Sequence, residues 1–84
     1  MLTVNTERWQ QDAESLREQG HRAEHQRTRE RFMALYEIAQ GDNATQVGLN
    51  TTRNPQTVMA WVHRYNQLGP KAMRYRRSGG HPPL

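Results

Sequence analysis

Eighty-four residues with an apolar content of 33% and a mean hydropathy of -1.11 allow one domain with a thin core. The lack of cysteine excludes a disulfide framework, a thiol nucleophile and thiolate metal sites, and fits a reducing cytoplasm. No run approaches the roughly 18 apolar residues of a membrane span, and the N-terminus lacks the basic-then-apolar order of a secretory leader. The net charge of +4 is divided unevenly. Residues 1–42 hold all eight acids against six arginines, a net -2, whereas residues 43–84 hold six basic side chains and no acid, a net +6. Such asymmetry marks a surface for nucleic-acid phosphates, with the acidic half turned elsewhere.

In chain order, residues 1–4 are expected to fray, and Asn5 or Thr6 to cap a first helix that runs to Gln19 with Glu7 in its first turn. Trp9, Ala13 and Leu16 form one apolar line at i, i+4 and i+7. One line serves one neighbour, either the next helix or a second copy of the chain. Gly20 is a stop, after which a second helix is predicted from Arg22 to Gln40, ending at Gly41. Its first half, with Glu24 and Glu30 among arginines, reads as a solvated face; Phe32, Leu35, Tyr36, Ile38 and Ala39 supply the stripe that anchors a core. His21 and His25 have the spacing of a helical metal pair but no third ligand nearby, so they read as solvated histidines and no metal or other cofactor is expected.

Asp42 or Asn43 caps a short third helix over residues 44–50, with Ala44, Val47 and Gly48 inward; a small residue at Gly48 lets two helix backbones approach closely. Thr51, Thr52 and Arg53 make the connecting turn. Asn54 is an N-cap and Pro55 suits a first helical turn, so a new helix starts there and continues to Leu68. Val58, Trp61, Val62, Tyr65 and Leu68 are its inward line, which leaves Gln56, Thr57, Ala60, His63, Arg64 and Gln67 outward. That outward face carries no acid. Glutamine pairs bidentately with adenine, and alanine or the threonine methyl contacts the thymine methyl, so this face has the chemistry to read a major groove. Gly69 and Pro70 end the helix, residues 71–73 make one further turn, and the basic, then Gly- and Pro-rich residues 74–84 form an arm or linker.

With Val47-Gly48, Asn54, Thr57-Val58 and Trp61, followed by Arg64-Tyr65-Asn66 and Gly69-Pro70, the chain resembles the N-terminal DNA-binding domain of mariner-like insertion-sequence transposases over about residues 29–84. Val47-Gly48 stands where that family has Ile-Ala, Thr57-Val58 matches its Thr-Val, Trp61 its Trp, and Gly79-Gly80-His81-Pro82-Pro83 imperfectly matches its Gly-Arg-Pro linker. Thr51 replaces a usual Leu, Thr52 a usual Gly, and His81 an Arg. The resemblance implies binding to terminal inverted repeats, with a catalytic domain of the RNase H type expected to follow where these residues end.

The sequence thus predicts an all-α, homeodomain-like helix-turn-helix bundle of about four helices over residues 1–73 and a basic arm over 74–84. Asn54, Gln56, Thr57 and Ala60 are candidates for base edges; Arg53, His63, Arg64, Lys71, Arg74, Arg76 and Arg77 are candidates for phosphates. Tyr75 stands among the last of these and suits a nucleic-acid contact. The expected partner is double-stranded DNA, with no membrane and no small-molecule substrate, and a homodimer is the alternative use of the first helix. No nucleophile with a base, convergent carboxylates or phosphate loop is present, so no catalysis is expected. The other readings are a stand-alone regulator or antitoxin on a palindromic operator, and a module for acidic protein partners.

Overall fold

The computed structural model describes residues 2–74, and these are helical without a strand. A 3-10 turn over Thr6–Trp9 precedes α1 (Ala13–Arg22), α2 (Gln26–Ala39), α3 (Ala44–Thr51) and α4 (Pro55–Leu68), and a second 3-10 turn, Pro70–Met73, follows. The all-α architecture matches the sequence reading, with the largest differences at the N-terminus.

The first helix is two pieces. Gln10 takes a left-handed conformation (φ 55°), and Asp12 then starts α1 as its N-cap, accepting from the Ser15 backbone N–H at 2.8 Å and from its hydroxyl at 3.0 Å. Those two bonds hold the Asp12 carboxyl below the usual carboxylate range, and they win over continuation of the helix through Gln10. Gly20 does not stop α1. It is buried inside the helix, and a Cβ there would stand 3.1 Å from the Met33 sulfur and 3.4 Å from the Phe32 Cβ, so glycine serves the close approach of α1 to α2. The corner falls at residues 23–25, and the His25 side chain caps α2 by accepting from the Arg27 N–H at 3.1 Å. His21 and His25 therefore do not share a helix face.

Residues 2–4, expected to fray, are held in place. Val4 is buried, and the Asn66 carboxamide of α4 brackets it, accepting from the Asn5 N–H at 2.7 Å and donating to the Thr3 carbonyl at 2.8 Å. Trp9 closes the same end by packing on Gly69, where a Cβ would lie 3.0 Å from its ring.

Leu16, Phe32, Ala34, Leu35, Ile38, Val47, Val58, Val62, Tyr65 and Met73 join in one core that all four helices enter. Ala39, expected in the α2 stripe, is exposed at the helix end, and two expected core positions of α4 are displaced. At about 100° per residue, Trp61 lies about 60° and Leu68 about 80° from the direction of Val58, so Trp61 is half-buried and Leu68 is 59% exposed. Met73, one turn past Pro70, is fully buried instead. The Arg31 guanidinium covers Trp61, 6.0 Å from the ring centroid.

The α3–α4 turn shows two opposed backbone demands. A Cβ on Gly48 would come within 2.7 Å of the Arg53 carbonyl oxygen and 3.3 Å of the Pro55 nitrogen, both backbone atoms that cannot swing aside. Gly48→Ala, which normally stabilises a helix by about 1 kcal/mol, is expected to destabilise this one by about 1 to 3 kcal/mol through overpacking. Thr52 sits at φ 55°, a costly place for a β-branched residue. Thr52→Gly is expected to raise stability by about 1 kcal/mol. Thermal melts of the two variants check both signs.

Candidate nucleic-acid interface

The α4 surface is set by its start. Asn54 accepts from the Gln56 N–H at 2.8 Å through its side-chain carbonyl, and Pro55 occupies the first turn. With the start fixed there and Val58, Val62 and Tyr65 inward, Gln56, Ala60, His63 and Gln67 make one exposed line along the helix, flanked by exposed Arg64 on one side and Met59 on the other. Thr57 is half-buried at the edge of this face. Met59, 39% exposed, is the member that sequence reasoning missed; its position three residues after Gln56 was the available signal. An exposed thioether there adds an apolar contact suited to a thymine methyl. Use of Asn54 on a base competes with its capping bond, whereas Gln56 has no such commitment among the described residues.

Among the described residues, the phosphate candidates lie on three segments of the chain. Arg53, immediately before the α4 cap, is paired with Glu30 of α2: its Nε donates to Oε2 at 2.6 Å and its Nη2 to Oε1 at 2.9 Å. Glu30, by these hydrogen bonds first and by charge second, raises the already high Arg53 pKa. His63 and Arg64 are exposed on α4 itself. Lys71 and Arg74 lie on the chain's return from α4. Burial of Met73, together with an Arg31 Nη1 bond to its carbonyl at 3.5 Å, draws this return back over α2. Arg74 then lines a groove at the α1–α2 corner with Arg22, Ala23, Glu24 and Thr28. Arg76, Arg77, Tyr75 and the rest of the arm lie outside the described residues.

The α3 helix packs across α4 through buried Ala44, Val47 and Gly48, with Asn43 capping it by accepting from the Gln46 N–H at 2.8 Å. Two helices joined through Gly48 and the turn at residues 52–54, with α2 packed behind them, make a helix-turn-helix. A family model described as a homeodomain-like domain matches residues 25–74. The chain belongs to this family. The matched span begins at the α2 cap and ends at Arg74, so α2, α3 and α4 are the three helices of a homeodomain-like domain, and α1 and the N-terminal segment are added to it. No curated protein and no solved structure matches the chain. In this domain class the last helix enters the major groove and turns residues of its exposed face toward the base edges. The protein is a helix-turn-helix DNA-binding domain. Among the described residues, no helix is long and apolar enough to cross a membrane.

Proposed function

We propose that this domain reads the terminal inverted repeats of a mariner-like insertion sequence, with α4 in the major groove, and that it supplies recognition to a transposase without itself carrying out chemistry. The observation that carries base reading is the acid-free line of Gln56, Ala60, His63 and Gln67, exposed on a helix whose start is fixed by Asn54 and Pro55. Gln56 and Ala60 take base edges, with Thr57 and Met59 beside them. Arg64, His63 and the arm residues Arg76 and Arg77 take phosphates, which position the helix without specifying sequence.

Support for the transposase reading over a dimeric regulator comes from the N-terminal stripe. Leu16 is fully buried among the core residues of the same chain and Trp9 packs on Gly69, so the stripe that a partner chain would have used is occupied internally. The motif Val47-Gly48, Thr57-Val58 and Trp61 points the same way.

Selection of bound duplexes from a random pool tests the proposal. An asymmetric half-site found once per bound protein supports it. A palindrome bound by two chains overturns the transposon-end reading in favour of the regulator, and recovery of no motif overturns sequence-specific reading altogether.

A further inference from the structure

We propose that Glu30 is a positioning residue for DNA binding: it grips Arg53 along one edge of the guanidinium and so aims the adjacent Nη1/Nη2 edge at a backbone phosphate beside the start of α4. This rests on the DNA-binding reading above and adds to it a role for an acid in the half of the chain that charge alone sets aside.

Arg53 is held from two directions. Its backbone N–H donates to the Gly48 carbonyl at 2.8 Å, and its own carbonyl lies so close over Gly48 that no side chain fits between them. Its guanidinium meets Glu30 side-on through Nε and Nη2. A guanidinium has five N–H groups. Two face Glu30, which leaves three, including the Nη1/Nη2 edge whose parallel N–H pair matches two oxygens of a phosphate. The Arg53 side chain keeps 39% of its surface open while Glu30 keeps 20%, so it is the cation that meets solvent and the acid that lies beneath it. The next residue caps a 14-residue helix, whose dipole also favours an anion at this end.

Two roles for Glu30 give opposite signs. As a mere neutraliser, it cancels the charge of Arg53, and its removal tightens binding to any polyanion. As a positioning residue, it has already restricted a flexible side chain to one orientation, and its removal returns that ordering cost to the binding step.

The test is titration of the full chain with a mixed-sequence duplex at several salt concentrations, using wild type, Glu30→Gln, Arg53→Ala, the double variant and Arg53→Lys, each with a thermal melt. Glu30→Gln is expected to weaken binding about tenfold despite removing a negative charge, roughly the effect of losing one well-oriented charged hydrogen bond. Arg53→Ala is expected to weaken it at least as much and to flatten log K against log salt by roughly 0.9, and the double variant to bind no worse than Arg53→Ala. Arg53→Lys keeps the charge without the second edge, so it is expected to lose about tenfold with its salt slope retained, which keeps the test open if Glu30→Gln fails to fold. Tighter binding with a steeper slope in Glu30→Gln, additive losses in the double variant, or wild-type binding by Arg53→Lys would each overturn the proposal. Failure of the wild type to bind any duplex at low salt would overturn the DNA-binding reading itself, a separate outcome.

Discussion

Tyr65→Ala is expected to unfold the domain, and Tyr65→Phe to stabilise it. Tyr65 is the largest fully buried side chain among the described residues, and it lies in the core that α4 shares with the other helices. Removing a buried aromatic ring costs about 3 to 5 kcal/mol, comparable with the whole stability of a domain this small. The hydroxyl is a different matter. It is buried and has no hydrogen-bond partner among the described residues, so phenylalanine keeps the ring and removes an unsatisfied polar group, a gain of about 1 kcal/mol or more. Burial also pushes the Tyr65 pKa up from 10.0 to about 12. Between those values the unfolded chain loses the proton while the folded chain keeps it, so this group's contribution is fully present below pH about 10 and is lost as pH rises toward about 12. Urea melts of wild type and Tyr65→Phe across that range check it. The gap between the two variants should widen with pH, and a constant gap would mean that the hydroxyl is hydrated.

The positions of α3 and α4 were legible because their signals are local. Asn43 and Asn54 cap in place, Pro55 opens α4, Gly69 and Pro70 close it, and Gly48 sits where two backbones nearly touch. The N-terminal third was not legible, because tertiary contacts outweigh local propensity there. Gly20 reads as a stop until Phe32 and Met33 are packed against it. Residues 2–4 read as part of a frayed end until Asn66, sixty-one residues from Asn5, supplies its carboxamide to the Asn5 N–H and the Thr3 carbonyl. The break at Gln10 follows from a cap at Asp12 that competes with a longer helix.

The outward face of α4 follows from periodicity once its start is set, so Gln56, Ala60 and His63 are exposed as expected, while Met59, on the border, is exposed without having been expected there. The pairing of Arg53 with Glu30 had no signal in the sequence. The residues are twenty-three positions apart, and Glu30 reads as one charge of a solvated face while Arg53 reads as a phosphate candidate in the connecting turn.

If α4 reads bases while the cations proposed for phosphates hold the backbone, the two groups of residues are expected to fail in different ways. On the proposed reading Gln56→Ala removes a bidentate contact to adenine, so it should cost about 1 to 3 kcal/mol on the selected site and leave a random duplex almost unaffected. Its side chain is exposed, so the fold should be untouched and the salt dependence unchanged. Replacing Arg76 and Arg77 together by alanine should weaken both duplexes alike and flatten log K against log salt by roughly 0.9 per lost contact, with specificity intact. The most direct measurement is therefore a salt titration of Gln56→Ala on the selected and random duplexes. The expected result is a loss confined to the selected site at unchanged slope; equal losses on both duplexes would show that the exposed face of α4 is not the surface that reads the DNA.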